Sequence, residues 1–491
     1  MSPYNLWAVR ALRYLTVFAA LINFIWWIIL FVSLFVTPPG LNTPGSGYTD
    51  FAYVTLTMGN LLITILFFSL PSAALRVSMS IVSILLVVDM IIILAVPQIR
   101  HEESWPGIAS IIWAVLISIH CIVTDRVVAW GKRSEEERLT GRPETKRTLK
   151  EWLAAFVETV IVWVYIVIVV LMTAELVLRS LDAGIEPDGD LVAVDSGKYR
   201  VHLACFGNHT TNPETGAREP TILLEAGEEP SEYDFEHWAY ATYMNGTISR
   251  YCYWDRPGYA WSDDAPSPHS AGMSADALSE ALAIQGEEGP WITVSAGYGS
   301  IVSRIFTARH VKDVVGTMLI DPLHEDLLDR VGSAYRGFRI WGFGVIAPIG
   351  IPGLIGAIFN GRSREDRTYG RSVWHTGKFL KAKLQENLVA TSLTRSEVNA
   401  ATNIISDVTP LVVVSSGIEV RRDQEWGRKQ EDITKKGKLI AFDVVNKAPH
   451  RVWATYEGRT IMEKRLGELM SAAAELKWTP ETAETKIVAQ E

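Results

Sequence analysis

The feature that most constrains this chain is a set of five long apolar stretches near its N-terminal end. Each is close to the roughly 20 residues that a helix needs to cross a bilayer, and none shows the polar face of a surface helix. Short loops rich in proline, glycine and polar residues separate the first four. The stretches are residues 14–36, 51–70, 77–96, 108–124 and 152–178. They predict an α-helical membrane region with five transmembrane helices over residues 1–180.

Lysine and arginine are distributed unevenly around these stretches. If all five stretches span, Arg10, Arg13, Arg76 and the positive residues of the loop before the fifth stretch fall on one side of the membrane. Only Arg100 and Arg179 lie near the spans on the other side. Because cytoplasmic loops carry the excess of positive charge, we expect a cytoplasmic N-terminus. An odd number of spans then makes the rest of the chain lumenal or extracellular, in the endomembrane system.

Two N-x-T sequences in that remaining part, at Asn208 and Asn245, are glycosylation candidates in such a compartment. The net charge of −9 gives no basis for nucleic-acid binding. Three cysteines are too few for a disulfide framework and lack metal-ligand spacing, so we expect no metal or cofactor. Cys205 and Cys252 fall in the second and fourth of the strands predicted below. A lumenal location would permit a disulfide between them, but cross-strand geometry within a sheet is often unsuitable, so we expect both to be free and buried.

Asp89 and Glu158 lie inside predicted spans. Ionisable groups at membrane depth are costly and often mark a function. The simpler interpretation is hydrogen bonding between helices, since no further charged residue completes a relay. The lipid bilayer is the one partner that this half of the chain predicts directly.

Beyond residue 180 the pattern changes to short β-rich runs, the later ones separated by intervals long enough for a helix. Such a pattern predicts an α/β domain whose sheet is mostly parallel after an opening hairpin. Eight runs are predicted as strands: 191–195, 199–206, 221–226, 248–254, 291–294, 315–320, 411–415 and 438–445. The domain is expected to cover residues 181–480, followed by a polar tail at 481–491.

The run at 291–294 leads through small residues into a predicted helix, Ile301 to Arg309. A strand, a tight turn and a helix form the layout of a nucleophile elbow, G-x-S-x-G. Here the five positions read Ser295-Ala296-Gly297-Tyr298-Gly299. Gly297 stands at the serine position and has no side chain with which to attack a substrate.

Four other motifs surround this turn: TILLEAG at 221–227, DRPGYAWSD at 255–263, LIDPLHED at 319–326 and APH at 448–450. In this order they resemble the α/β-hydrolase superfamily. The spans ahead of such a domain also resemble a fungal family of membrane proteins, some labelled mitochondrial, which leaves a mitochondrial membrane as an alternative location. The resemblance implies an α/β-hydrolase fold with an eight-stranded sheet.

The same resemblance assigns site residues. His450 matches the catalytic base, and Asp321, Asp326 and Glu419 are candidates for the acid that orients it. The oxyanion pocket would be formed around a set of residues on two loops: Gly227, Glu228, Ala296 and Tyr298. Ser295 and Ser300 are weak substitutes for the missing nucleophile, because the first lies in a strand and the second on the following helix.

Residues 327–408 form an insertion of the length of a lid. Its segment from Gly337 to Phe359 is apolar, with Arg339 as its one charge. A sixth span there would split the sheet and separate His450 from the turn, so we expect a lid that packs over the pocket and contacts the bilayer; an apolar cap on the core is the alternative.

Three functions follow. The first is a membrane-anchored pseudoenzyme that binds a lipophilic small molecule or a partner protein. The second is an active ester or lipid hydrolase with a non-standard nucleophile or an activated water. The third is a structural subunit of a membrane complex, supported by Asp89 and Glu158 alone.

Overall fold

The computed structural model describes residues 6–68, 73–141, 149–212, 216–405 and 409–475. The chain divides into two compact units. One comprises residues 1–185, 341–364 and 374–381, and is called the helical unit below. The other comprises residues 186–340, 365–373 and 382–491, and is called the sheet unit. The polar tail predicted at 481–491 lies outside the described residues.

The helical unit is built on five helices that are long and apolar enough to cross a membrane, which confirms the five predicted apolar helices. They are α1 (Trp7–Ser33), α2 (Tyr48–Leu66), α3 (Ala73–Ala95), α4 (Pro97–Thr140) and α5 (Leu149–Asp182). The fourth extends beyond the predicted 108–124 at both ends. It is broken at Ser104, where φ is 52°, two residues before Pro106.

The acidic residues predicted inside spans are buried among these helices. The Tyr53 hydroxyl on α2 donates a hydrogen bond to Asp89 Oδ2 on α3, with an oxygen-to-oxygen distance of 3.0 Å. Glu158 on α5 is 1 % exposed. The Tyr165 hydroxyl on α5 donates to the Leu56 carbonyl of α2 at 3.0 Å. Hydrogen bonds between helices therefore involve at least Asp89, as the simpler interpretation of its burial predicts.

The sheet unit contains an eight-stranded sheet in the order β1-β2-β4-β3-β5-β6-β7-β8. The strands are β1 (Asp190–Val194), β2 (Tyr199–Gly207), β3 (Thr221–Glu225), β4 (Arg250–Trp254), β5 (Trp291–Ala296), β6 (Val314–Ile320), β7 (Pro410–Ser416) and β8 (Lys438–Val445). β2 pairs antiparallel with β1 and β4, and all other pairs are parallel. The mostly parallel α/β-hydrolase fold is thereby confirmed.

Helices cover both faces of this sheet. The remaining helices are α6 (Phe235–Met244), α7 (Ala271–Gln285), α8 (Gly299–Arg309), α9 (Leu328–Val331), α10 (Ala334–Ile346), α11 (Ile351–Phe359), α12 (Arg364–Thr368), α13 (Gly377–Val389), α14 (Arg395–Thr402), α15 (Gly417–Arg422), α16 (Gln424–Ile433) and α17 (Tyr456–Glu475). One core cluster packs α7 and α8 on the sheet, and a second packs α6 and α17 on the opposite face. Buried on both sides, β3, β5, β6 and β7 are the near-continuous apolar runs that central parallel strands require.

The predicted lid is not one body. Its middle part, residues 341–364 and 374–381, belongs to the helical unit. The Trp341 ring lies 6.1 Å from Phe31 and 6.4 Å from Phe35, centroid to centroid. The Lys381 ammonium donates to the Leu34 carbonyl at 2.6 Å. Because no charged residue occurs between Arg339 and Arg362, this part packs favourably against apolar helices.

The expectation of two free cysteines in the sheet is wrong. Cys205 and Cys252 are joined by a disulfide. They are direct partners in the antiparallel register of β2 and β4, so the two strands hold the sulfur atoms next to each other. Disulfides persist in oxidising compartments, and this one agrees with the lumenal or extracellular location expected for the sheet unit. Cys121 is free and buried.

Replacing Cys205 and Cys252 together by alanine is expected to lower the free energy of unfolding by about 2–4 kcal/mol, because the unfolded chain loses a cross-link. The measurement is chemical denaturation of the full-length protein in detergent, followed by tryptophan fluorescence. Reductant should also lower the denaturation midpoint of the unmodified protein, and it should leave the midpoint of the double variant unchanged. Cys121→Ala serves as the control. A midpoint insensitive to both reductant and substitution would show that the disulfide does not form.

Candidate functional site

The predicted elbow forms at the carboxyl end of β5. Gly297 follows the strand with a φ of 45°, and α8 begins at Gly299. The Gly297 amide donates to the Ile320 carbonyl at 3.1 Å, and its carbonyl accepts from the Leu323 amide at 3.0 Å. Both partners belong to the end of β6 and the loop after it. Glycine takes a positive φ without steric cost, so the turn keeps its elbow shape in the absence of serine.

His450, in the loop after β8, lies at this turn. Its Nδ1 is 2.6 Å from Asp321 Oδ2. The other carboxylate oxygen of Asp321 accepts from the Ser416 amide at 3.0 Å and from Trp426 Nε1 at 2.9 Å. Of the three candidate acids, Asp321 is therefore the one that pairs with His450. Its buried carboxylate is fixed from both sides, which orients the imidazole with Nε2 towards Gly297.

The other two candidate acids have different partners. Asp326 pairs with Lys429 at 2.5 Å and is exposed. Glu419 lies near the start of α15, with its carboxylate 4.0 Å from Arg422. Asp326 was a plausible candidate because its motif resembles the end of the sixth strand in α/β-hydrolases. The chain turns away from the sheet after Asp321, which places the Asp326 side chain at the surface.

The His450 imidazole lies close to the position that the side chain of a nucleophile would take. A Cβ atom built on Gly297 would lie only 2.8 Å from His450 Nε2, closer than real Cβ contacts. In a Ser-His-acid hydrolase that space holds the serine side chain, whose hydroxyl hydrogen-bonds to the histidine. Here the imidazole reaches the turn itself.

Neither neighbouring serine replaces the missing hydroxyl. Ser295 is fully buried in β5, and its hydroxyl has no hydrogen-bond partner among the described residues. The Ser300 hydroxyl donates to the Gly297 carbonyl at 2.7 Å, inside the first turn of α8. In the described part of the chain, no serine hydroxyl is hydrogen-bonded to His450.

The acidic groups around His450 favour its charged form. Burial lowers the pKa of His450, but the hydrogen bond and charge of Asp321 raise it by more, and Glu228 and Glu419 raise it further. The net pKa therefore lies above the usual value. The imidazole is a base that holds its proton more tightly than an isolated histidine.

The raised pKa predicts how stability depends on pH. Protonated His450 stabilises the folded state fully at a pH below the unfolded value of about 6.5, and this contribution is lost as the pH rises through the folded pKa. The stability gap between the unmodified protein and His450→Gln should thus be larger at pH 5.5 than at pH 9. For His310→Gln the trend should be opposite, because burial lowers the pKa of His310. Thermal unfolding midpoints give the measurement. A stability gap between the unmodified protein and His450→Gln that is the same at both pH values would contradict the pairing of His450 with Asp321.

The predicted oxyanion loop carries a negative charge. Gly227 packs beside Ala296, and a Cβ on it would lie 3.2 Å from the Ala296 carbonyl oxygen. Glu228 follows directly, and Lys383 donates to its Oε2 at 3.0 Å. Burial raises the pKa of Glu228, but Lys383 outweighs it and lowers the pKa to about 2. Glu228 is therefore ionised, and a carboxylate in this loop opposes the charge that an acyl-transfer intermediate develops.

A buried ionic network lies behind this loop. Arg256 donates to Glu225 Oε1 and to the Ala226 carbonyl, both at 2.5 Å, and to the Gly227 carbonyl. Its guanidinium also lies over the Tyr259 ring, 4.3 Å from the centroid. Burial raises the pKa of Glu225 to about 7 even though Arg256 lowers it. Arg256 therefore fixes the backbone at the end of β3, where the oxyanion loop begins.

Two residues of the insertion complete the network. Lys383 donates to the Tyr259 hydroxyl at 2.5 Å and to Glu386 Oε2 at 3.1 Å. The Tyr259 hydroxyl donates to Glu386 Oε1 at 2.6 Å. Arg256 and Tyr259 belong to the DRPGYAWSD motif and could have been expected near the site. Lys383 and Glu386 carry no sequence signal, because α13 reads as an ordinary charged helix.

One group of atoms among the described residues is close enough to hold a metal ion: Cys205, Cys252 and Glu287. The two sulfur atoms are joined in the disulfide, and a disulfide has no thiolate to offer a metal. This group therefore does not add a metal centre to the site.

Comparison with known proteins gives the family of the chain. The model of a region of unknown function, DUF2417, matches residues 1–205. An uncharacterized vacuolar membrane protein of Saccharomyces cerevisiae strain YJM789 is 27 % identical over 347 residues, which cover 60 % of this chain and 54 % of that protein. An uncharacterized protein of Schizosaccharomyces pombe is 30 % identical over 504 residues, which cover 96 % of this chain and 92 % of that protein.

Among solved structures, the α/β-hydrolase MGS-M2 from a deep-sea metagenome library has a TM-score of 0.41 at 14 % identity, covering 57 % of this chain and 97 % of its own. The protein DBJA has a TM-score of 0.41 at 13 % identity, covering 58 % of this chain and 99 % of its own. The long match to the Schizosaccharomyces pombe protein decides the assignment: the chain belongs to the family of that protein.

Proposed function

We propose that this protein is a membrane-anchored pseudoenzyme: an α/β-hydrolase domain that binds a lipophilic small molecule or a partner protein and does not cleave a bond. The observation that carries the proposal is the 2.8 Å between His450 Nε2 and a Cβ built on Gly297. The nucleophile is absent, and the His450 imidazole lies close to the place of its side chain. The ionised Glu228 in the oxyanion loop supports the same conclusion.

The test is covalent labelling of the purified full-length protein with a fluorophosphonate probe, which reacts with activated serines. We expect no labelling under conditions in which an active serine hydrolase is labelled completely. Robust labelling of the unmodified protein, mapped to Ser295, Ser300 or another serine by mass spectrometry, would refute the pseudoenzyme.

A second candidate is a hydrolase that activates water. The intact pair of His450 and Asp321 favours it, because a histidine held by a carboxylate is the usual general base. Such an enzyme would hydrolyse esters or lipids without being labelled by the fluorophosphonate, and His450→Ala would abolish the hydrolysis. Turnover of a panel of acyl esters that depends on His450 would favour this candidate over the pseudoenzyme.

For its location, we propose an endomembrane with the sheet unit on the lumenal side, supported by the vacuolar membrane relative and by the disulfide. Asn208 and Asn245 are both exposed, as a glycosylated asparagine must be. A glycosidase is expected to increase the gel mobility of the protein expressed in yeast. Asn208→Gln with Asn245→Gln should remove that shift. Absence of any shift in the unmodified protein would contradict a glycosylated lumenal domain and favour the mitochondrial alternative.

A further inference from the structure

The apolar middle of the insertion between β6 and β7 forms two helices joined by a sharp bend. Helix α10, extended by the 3-10 turn Ala347–Ile349, meets α11 at an angle of 57°. Gly350 lies at the bend with a φ of 66°, a conformation that glycine adopts readily. Together the two helices are long and apolar enough for a single span. The bend leaves two arrangements, a broken span or a re-entrant segment. Residues 341–359 are called the hairpin below.

The outer surface of this hairpin is apolar and unusually exposed. Six large apolar side chains are between 46 % and 79 % exposed: Phe343, Ile346, Ile351, Ile355, Ile358 and Phe359. No charged residue occurs between Arg339 and Arg362. A continuous apolar surface of this kind is unfavourable in water and marks contact with a partner or with lipid.

The inner surface of the hairpin packs on one end of the membrane helices. Val345 and Trp341 pack in a cluster with residues from the end of α1 and the start of α2. On the other arm, a Cβ at Gly353 would lie 3.2 Å from Glu175 Oε2 of α5. Arg364, after the hairpin, lies 3.8 Å from Asp182, the last residue of α5. All of these contacts lie at the same end of the helical bundle, opposite the N-terminus of α1.

The contacts with α5 measure the depth of the hairpin. Glu175 lies seven residues before Asp182, which corresponds to about 10 Å along a helix. Gly350, at the bend, packs directly against Glu175, whereas Arg364 lies level with Asp182. The bend therefore lies about two helical turns before the end of α5.

The pairing of β6 with β7 indicates whether the segment between them crosses the membrane. β6 leads into the insertion and β7 follows it, and the two strands are adjacent and parallel, with Ile320 opposite Val414. A single crossing would put β6 and β7 on opposite sides of the membrane. A continuous sheet requires the chain to leave the membrane on the side where it entered.

From these observations we propose that residues 341–359 form a re-entrant membrane hairpin, whose exposed face lies in the acyl region of the bilayer that surrounds α1–α5. The occupant of the apolar face is lipid hydrocarbon. The hairpin would then be a further lipid-contacting segment of the helical unit besides α1–α5. This proposal holds whether or not the turn at Gly297 is catalytic.

The test places single cysteines at exposed positions, so that folding is not at risk. Ile358→Cys is compared with Ile84→Cys, on the exposed face of α3, and with Ile284→Cys, on α7 of the sheet unit; the three positions are 69 %, 64 % and 57 % exposed. The full-length variants carry a nitroxide spin label in liposomes. The native cysteines do not compete, since Cys121 is buried and the other two form the disulfide.

The readout is the ratio of collision rates with oxygen, which concentrates in lipid, and with a water-soluble nickel chelate. We expect the ratio at Ile358 to be closer to the ratio at Ile84 than to the ratio at Ile284. A ratio closer to that at Ile284 would overturn the proposal.

A second measurement distinguishes a hairpin from a span. Tyr335→Cys and Asn360→Cys flank the apolar segment at exposed positions. A membrane-impermeant maleimide should label both from the side of the liposome that labels Ile284→Cys. Labelling of the two from opposite sides would mean a complete crossing and would also overturn the proposal.

Discussion

Gly297→Ser is expected to make the full-length protein reactive towards a fluorophosphonate probe that leaves the unmodified protein unlabelled. The new hydroxyl would lie beside His450 Nε2, whose Nδ1 is already held by Asp321 at 2.6 Å. The φ of 45° at this position is the strained conformation that elbow serines adopt, at a cost of about 1–2 kcal/mol for a residue other than glycine. Because the added Cβ would lie 2.8 Å from Nε2, the imidazole must move by several tenths of an ångström.

The matched control is Gly297→Ser with His450→Ala. If histidine acts as the general base, labelling of this double variant should be slower by about 10²–10⁴-fold. Mass spectrometry should locate the label on residue 297. A folded Gly297→Ser protein that remains unlabelled would show that the adjacent carboxylates, Glu228 above all, prevent a nucleophile from working here. Equal labelling with and without His450 would show that the imidazole does not serve the turn.

Arg256→Met is expected to lower the free energy of unfolding by about 3–5 kcal/mol, the cost of removing one partner from a buried ion pair. Arg256 is 4 % exposed and donates to the Glu225 carboxylate and to two carbonyl groups at the end of β3. Without it, those acceptors are buried and lose their donor. Methionine keeps much of the side-chain volume. The decrease in the free energy of unfolding therefore reports the lost charge and hydrogen bonds more than lost packing.

Chemical denaturation of the full-length protein, read by tryptophan fluorescence, gives the measurement. Arg451→Met is the control, because Arg451 pairs with Glu229 and Asp234 at a partly exposed position, where removal should cost about 0–1 kcal/mol. Adding Glu225→Gln to Arg256→Met should restore part of the loss by removing the unpaired carboxylate. If Arg256→Met destabilises no more than Arg451→Met, the network is not a main support of the loop.

Much of the fold followed from short-range sequence patterns. Apolar stretches long enough to span a bilayer identified the five membrane helices, and β-rich runs separated by helix-length intervals identified the eight strands. These patterns are readable because the residues that encode a helix or a strand are neighbours in the chain. The turn at Gly297 belongs to the same class, since its strand, its glycine and its helix are contiguous.

The pairings within the site could not be read in this way. Three acids were candidates for His450, and only the folded chain shows that Asp321 pairs with it and is held by Ser416 and Trp426. The cysteines were expected to be free because cross-strand geometry is often unsuitable for a disulfide, and only the register of β2 and β4 shows that they are direct partners. Lys383 lies in a helix with no motif, and its contact with Glu228 joins residues 155 positions apart.

What the sequence by itself determined is local: five apolar helices, an α/β-hydrolase fold behind them, and a nucleophile position with no side chain. The tertiary structure alone decided which acid orients His450, that the imidazole lies close to the turn at Gly297, that Lys383 pairs with Glu228, and that the predicted lid is divided between two units. Each of these depends on distances between residues far apart in the chain, which are set by strand register and helix packing and leave no trace in local composition.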